Sequence, residues 1–203
     1  MSKTQSSSEN KWKARVDSDF QAMSRHILRY FPEARKSNCI EKAAALHLYV
    51  YEKVEFQPRD FSDNPRDIRL PKECWKSSGN CQEQTILLAS LLKSVPELET
   101  RTKGLSDNQE GSVGHRTLEV RIPYAAGDFK QTLKDFYKRT HHFNGDPSEL
   151  HWSRLKESNK IWMVADPTMS IHVGDLSSHR NKGYVVNSGG SWEWYQVDSK
   201  NAL

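Results

Sequence analysis

The sequence predicts a mixed chain in which helices are followed by strands, and three observations carry this prediction. Apolar residues recur at helical spacing over Asp17–Phe31 and again over Asn38–Val54. A third helix is predicted to begin near Cys81, where an apolar face follows a polar start. Further along, polar and apolar residues alternate, which predicts strands at Glu99–Lys103 and His115–Ile122.

The length of 203 residues predicts one domain, because a chain of this size can bury one core and is short for two. Residues 17–203 are predicted to form that domain. Residues 1–16 are predicted to be a flexible tail, since Met1–Asn10 is polar and rich in serine. Residues at about 124–160 are predicted to be an insertion, with a polar helical part at Asp128–His141.

The helices of the first half have recognisable boundaries. Pro32 ends the first helix, and the second is apolar over most of its circumference, which predicts burial. Glu55–Cys74 is rich in Pro, Asp and Arg and shows no hydrophobic period, so we expect an ordered surface loop. Asn80 or Ser78 can cap the third helix. Its predicted buried face is Ile86, Leu87, Leu91, Leu92 and Val95.

The second half of the chain places two polar side chains at strand ends. His115 lies at the start of its predicted strand. Asp166 follows the apolar stretch that begins at Ile161, and Pro167 ends that stretch. Tyr184–Val197 surrounds an Asn-Ser-Gly-Gly turn and predicts a hairpin.

Composition argues against several classes of protein. The longest apolar stretch, Ile86–Val95, is broken by Ser90 and Lys93, and a membrane helix needs roughly 20 apolar residues. No secretory signal is recognisable, so we expect a cytoplasmic protein. Three cysteines without such a signal predict free thiols. The net charge of +4 is spread over segments of mixed sign, which makes nucleic acid an improbable partner.

A thiol, an imidazole and a carboxylate occur in an order that suits nucleophilic catalysis. Cys81 lies in the first turn of a helix, where the helix dipole favours a thiolate. Such a nucleophile needs a base that takes its proton and a third group that orients the base. We select His115 and Asp166 for these roles, because adjacent antiparallel strands would bring both to the edge that Cys81 occupies.

Three motifs follow one another along the chain. They are Gly79-Asn80-Cys81-Gln82-Glu83 before a Leu-rich helix, Gly114-His115 opening a strand, and Trp162-Met163-Val164-Ala165-Asp166-Pro167-Thr168. With the upstream helix and Trp75, they resemble the transglutaminase-like superfamily of papain-like cysteine enzymes over roughly residues 38–170. The resemblance implies an α+β fold in which the catalytic helix packs on an antiparallel sheet. It also implies acyl transfer from an amide through a thioester, without a cofactor.

Other residues near the motifs have competing interpretations. Trp75 is either an oxyanion donor or a core residue, and we prefer the backbone N–H of Cys81 as that donor. Glu83 either supports the reacting groups or balances the helix dipole. Cys74 is close enough in sequence to Cys81 for a regulatory disulfide, which we do not favour. No metal is expected, since three further histidines in the predicted insertion lack ligand spacing. These are His141, His142 and His151.

The predicted reaction leaves alternatives open. Hydrolysis of an amide or peptide bond makes the chain a protease or amidase acting on a protein or peptide substrate, and we favour it. Transfer of the acyl group to a lysine amine makes it a protein-glutamine gamma-glutamyltransferase, a cross-linker. A non-catalytic binding module on the same fold is the alternative of a different class. The insertion at about 124–160 is expected to influence specificity.

Overall fold

A computed structural model describes residues 20–35, 38–59, 67–105, 115–123, 126–140, 150, 152–154 and 161–181. Within these ranges the chain is a mixed α+β fold, as predicted. The helices are α1 Gln21–Ile27, α2 Pro32–Arg35, α3 Cys39–Lys53, α4 Pro71–Lys76, α5 Cys81–Leu92, α6 Ala126–Arg139 and α7 Ser177–Asn181. The strands are β1 Glu55–Phe56, β2 Ser78–Gly79, β3 Glu99–Leu105, β4 His115–Ile122, β5 Ser153–Arg154 and β6 Ile161–Val164.

The main sheet is antiparallel and has the strand order β3-β4-β6-β5. Leu105 pairs with His115 between β3 and β4, and Glu119 pairs with Val164 between β4 and β6. A separate short parallel pair joins β1 to β2, with Phe56 opposite Gly79. The start of β4 and the end of β6 therefore lie at one edge of the sheet, because antiparallel neighbours run in opposite directions.

Helix α5 packs against β4, and it is buried on nearly every side. Helix α3 packs against α5 and contributes ten buried residues. Alternate residues on β4 and β6 complete the main core from the sheet side, among them Leu118 and Met163. Val164 points to the other face and packs in a second cluster with Leu105 and Leu176. Both faces of the sheet are thus covered, which explains why even the polar residues of β4 are buried.

Helix α6 confirms the prediction of a helix near 128–141. The sequence suggested a polar helix, but one face of α6 is apolar and buried. Phe129, Leu133, Phe136 and Tyr137 are all fully buried in the main core. Their spacing of four, three and one residues places them on one helical face, and that face packs against α3. The helix in the region predicted as an insertion is therefore part of the core.

Two boundaries predicted from the sequence are wrong. The segment Glu55–Cys74 contains β1 and most of α4 in addition to loop. Pro71 fits the first turn of α4, and the Glu73 carboxylate accepts a hydrogen bond from the Leu70 N–H at 2.8 Å. The first helix ends at Ile27, and Pro32 begins α2 at a first-turn position.

Several predictions concern residues outside the described ranges: the tail 1–16, the hairpin at Tyr184–Val197, and the three histidines considered as metal ligands. No helix in the described part of the chain is both long enough and apolar enough to span a membrane.

Candidate active site

Cys81 is the first residue of α5, and Asn80 caps this helix. The Asn80 side chain accepts a hydrogen bond from the Glu83 N–H at 3.0 Å, and the Glu83 carboxylate accepts one from the Asn80 N–H at 3.1 Å. This reciprocal pair is a capping box. Of the two caps that the sequence allowed, Asn80 rather than Ser78 is the one formed. The backbone N–H of Cys81 lies in the first turn, where helix N–H groups have no partner within the helix.

Glu83 also anchors the segment that precedes the Cys81 helix. Its buried carboxylate accepts hydrogen bonds from the backbone N–H and the guanidinium of Arg69, at 2.9 to 3.1 Å. Burial raises the pKa of Glu83, but the hydrogen bonds from Arg69 and Asn80 outweigh it and lower the pKa overall. Glu83 therefore stays ionised and fixes the start of α5. These contacts give Glu83 a structural role at the start of α5. A role for Glu83 in supporting the reacting groups stays a prediction.

His115 and Asp166 meet at the sheet edge where β4 begins and β6 ends. The Ala165 N–H donates to the Leu118 carbonyl at 2.8 Å, so strand pairing continues to the residue before Asp166. Nε2 of His115 then lies 2.5 Å from Oδ2 of Asp166. Both side chains are buried. Sheet register thus brings together two residues that are 51 positions apart in sequence.

The ionisation of this pair is set by the charges around it. Burial lowers the pKa of His115, yet the charge and hydrogen bond of Asp166, together with a hydrogen bond to the Cys81 side chain, raise it overall. Burial raises the pKa of Asp166, but the neighbouring imidazoles of His115 and His179 hold it well below its usual range. An imidazolium beside a carboxylate is therefore favoured. Because Nε2 of His115 faces Asp166, Nδ1 is the ring nitrogen left for the thiol.

The carboxylate of Asp166 is held at both oxygens. Oδ1 accepts hydrogen bonds from the backbone N–H and the hydroxyl of Thr168, both at 2.8 Å, and from the Met169 N–H at 3.1 Å. Oδ2 accepts from His115 and also from Nε2 of His179, at 2.8 Å. A buried carboxylate with this many donors is both fixed in orientation and favoured in its charged form.

Two histidines at this site were not predicted from the sequence. His179 lies on α7 and is completely buried against Asp166. His47 lies on α3, and its Nε2 donates to the backbone carbonyl of Asp166 at 3.0 Å. Burial lowers the pKa of His47 to about 4, so this imidazole is neutral at neutral pH. Neither residue belongs to a motif, and a single histidine on the apolar helix α3 or on the short polar helix α7 gives no signal of its own.

Cys81 is partly exposed, whereas the other two thiols are buried. Burial raises the pKa of Cys39, and it raises the pKa of Cys74 to about 12. Trp75 stacks on Tyr49 with ring centroids 5.1 Å apart and packs against the main core. This is the structural role weighed for Trp75, and its role as an oxyanion donor stays a prediction.

Comparison of the chain with protein-family models, with curated proteins and with solved structures found no match. The resemblance to transglutaminase-like enzymes therefore remains a prediction from the motifs. What the site can do has to be judged from its own residues.

His115, Asp166 and His179 also form a group that could be considered for a metal ion, since their donor atoms lie within 4.8 Å of one another. The separations of 2.5 and 2.8 Å from Oδ2 to the two nitrogens are hydrogen-bond lengths. Two ligand atoms on a tetrahedral zinc lie about 3.3 Å apart, given zinc–nitrogen bonds of about 2.0–2.1 Å. In this arrangement the three side chains form a hydrogen-bonded group, and a metal would require them to separate.

Proposed function

We propose that this chain is a cysteine-dependent acyl-transfer enzyme with a transglutaminase-like, papain-like fold, and that it hydrolyses amide or peptide bonds. The observation that carries the proposal is the buried hydrogen bond between His115 and Asp166, beside the partly exposed thiol of Cys81 at the start of α5. A partly exposed thiol at a helix start, beside an imidazole oriented by a carboxylate, is the arrangement that activates a thiol. We place the enzyme in the cytoplasm, where thiols stay reduced.

In the proposed reaction, the Cys81 thiolate attacks the carbonyl carbon of a protein or peptide substrate and a carbon–sulfur bond forms. The backbone N–H of Cys81 donates to the developing oxyanion. The imidazolium of His115 gives its proton to the leaving nitrogen as the carbon–nitrogen bond breaks. Water, deprotonated by His115, then attacks the thioester and releases the acid and the thiol. Asp166 keeps Nε2 of His115 protonated and its Nδ1 directed to the thiol.

The first test is alkylation of the three cysteines by iodoacetamide across pH, followed by mass spectrometry. Cys81 is expected to react many times faster than Cys39 and Cys74 and to keep this advantage at pH 6–7, where a free thiol with a pKa of about 8.5 is mostly protonated. His115→Ala is expected to abolish the advantage.

A matched control is His26→Ala, which removes an exposed histidine on α1. It should leave Cys81 as reactive as in the wild type. If Cys81 is inert, or if all three thiols react alike, the proposal is wrong and a binding module becomes the better interpretation.

The second test separates hydrolysis from transfer. A library of peptide amides is incubated with the enzyme, with and without a primary amine such as a lysine derivative. Hydrolysis predicts the free acid as the main product without amine. An acyl product that forms only when an amine is present would instead identify a cross-linker, and Cys81→Ala should yield neither product.

A further inference from the structure

Asp166 is shared by two imidazoles that approach the same oxygen. Nε2 of His115 lies 2.5 Å from Oδ2 and Nε2 of His179 lies 2.8 Å from it. The two rings have centroids 6.0 Å apart and an interplanar angle of 61°. His179 is fully buried, so water does not compete for this contact. A reaction of Cys81, His115 and Asp166 alone does not account for the second imidazole.

His179 is not needed to orient the carboxylate. Oδ1 is already held by three donors from Thr168 and Met169, and these fix the plane of the carboxylate. An ionised carboxylate only accepts hydrogen bonds, so Nε2 of His179 carries a proton and donates a hydrogen bond to Oδ2. His179 therefore acts on the charge of Asp166, because it donates a hydrogen bond to the same oxygen, Oδ2, that binds His115.

Helix α7 is placed so that His179 reaches Asp166. The Asp175 carboxylate accepts from the Ser177 N–H at 2.9 Å and from the Ser177 hydroxyl at 2.7 Å, at the start of the helix. The Ser170 hydroxyl donates to the Asp175 carbonyl at 2.8 Å. The loop that follows Asp166 is thereby tied to the helix that carries His179.

We propose that His179 is a positioning residue that acts through Asp166: it shares the negative charge of Asp166 with His115 and so weakens the stabilisation that Asp166 gives to the protonated His115 ring. The inference rests on the proposed function. An acid is most effective in catalysis when its pKa lies near the working pH, and a carboxylate that acts on His115 alone would hold the imidazolium too tightly. Sharing the carboxylate makes the protonated ring a stronger acid, so that His115 releases its Nδ1 proton more readily to the leaving nitrogen.

The sign of this effect does not depend on the protonation of His179. A neutral donor withdraws charge from Oδ2, and a protonated one withdraws more, so either form lowers the affinity of His115 for its proton. Within the described ranges, further titratable side chains near the group lie on several elements. They include Cys81 on α5, His47 on α3, and His172 and Asp175 in the loop before α7.

The test is an NMR titration of the His115 ring in the wild type and in three variants of His179. His179→Phe fills a similar volume without a donor, and His179→Asn is too short to reach Oδ2. Both are expected to raise the pKa of His115 by about one unit, a tenfold change in proton affinity, which is the size expected for one hydrogen bond to a charged group. His179→Gln restores an N–H near the Nε2 position and is expected to return the pKa most of the way.

Kinetics supply a second measurement. If the wild type is an amidase, His179→Phe and His179→Asn should both lower kcat about tenfold with little change in KM and should move the pH optimum upward, whereas His179→Gln should be closer to the wild type. An unchanged or lowered His115 pKa in folded His179→Phe or His179→Asn overturns the inference even if the enzyme is active. A raised pKa in a protein without amidase activity supports the charge sharing and counts only against the proposed function.

Discussion

At the scale of single residues, Asp166 combines complete burial with a full negative charge. Moving an isolated carboxylate out of water is costly, and the cost is offset here by five hydrogen bonds. Two of these bonds come from imidazoles that can carry positive charge. The residue is therefore important to stability as well as to the proposed chemistry, and its contribution should depend on pH.

The substitution Asp166→Asn is expected to lower the free energy of unfolding by about 3 kcal/mol near pH 6, because it leaves two buried imidazoles without a charged partner. The pKa of Asp166 is depressed in the fold, so its stabilisation is present above about pH 3.9 and is lost as pH falls through the folded value. The pKa of His115 is raised, so its stabilisation is complete below about pH 6.5 and is lost as pH rises through the folded value.

The difference between wild type and Asp166→Asn should therefore be largest between about pH 4 and 6.5. Urea denaturation at several pH values measures it. A control is Asp135→Asn, which removes only a partner of Gln131 on the surface of α6 and should cost under about 0.5 kcal/mol. A pH-independent difference would contradict the ionisation assigned to the pair.

Residue-level prediction from the sequence succeeded where local pattern and chain order carried information. The start of α5 is visible in the polar residues before the Leu-rich stretch, and the pairing of His115 with Asp166 follows from two strands with polar ends. His47 and His179 had no such signal. Their positions are fixed by tertiary packing, because each reaches Asp166 from a separate helix, His47 from α3 and His179 from α7.

At the scale of elements, α3 and α5 both begin with an asparagine N-cap. Asn38 caps α3 by accepting from the N–H groups of Ile40 and Glu41, both at 3.1 Å, and Asn80 caps α5. Only the second cap adjoins Cys81. The two helices therefore offer a matched pair of substitutions that separates the stability of a helix from the placement of the thiol.

Asn80→Ala is expected to cost about 1 kcal/mol of stability and to slow the alkylation of Cys81 several-fold, because the first turn of α5 loses its cap. Asn38→Ala should cost a similar free energy and leave the alkylation rate unchanged. Asn80→Ser restores a capping oxygen and should recover both properties. Denaturation and iodoacetamide kinetics measure the two effects. Equal loss of Cys81 reactivity in Asn38→Ala would show that general destabilisation is the cause.

Element boundaries followed from the sequence where the periodic stretch was long. The predicted stretch Asn38–Val54 corresponds to α3 within one residue at each end, and His115–Ile122 coincides with β4. Helix α4 has only six residues, too few for a period to be visible. It is held by Pro71 and by the Glu73 cap, and a buried Cys74 ties it to Gly79. A Cβ added at Gly79 would lie 2.5 Å from the Cys74 sulfur, so the contact requires glycine.

At the scale of the whole molecule, one main core joins the helices of the first half to the sheet of the second. Helix α6 is part of this arrangement, although the sequence suggests a polar insertion around it. The apolar positions Phe129, Leu133, Phe136 and Tyr137 were the available signal, because their spacing follows a helical face. The many charged residues between them lowered the average hydrophobicity of the segment and hid the pattern.

The position of α6 also ties the core to the site. The Val173 N–H donates to the Tyr137 hydroxyl at 3.0 Å, so α6 contacts the loop that runs from Asp166 to α7. Phe136 lies next to Tyr137 and packs against Phe31, with ring centroids 6.5 Å apart. A substitution that destabilises α6 should therefore also disturb the positions of Asp166 and His179.

Phe136→Ala is expected to lower the free energy of unfolding by about 3–5 kcal/mol, since it removes a fully buried aromatic side chain. Lys138→Ala, on the exposed side of the same helix, should change it by less than about 0.5 kcal/mol. Guanidinium denaturation followed by both far-ultraviolet circular dichroism and Cys81 alkylation measures the two variants. If α6 belongs to the core, the denaturation midpoints measured by the two probes should fall by the same amount in Phe136→Ala. A separate early transition that leaves the fast alkylation of Cys81 intact would instead mean that this region unfolds as an independent unit.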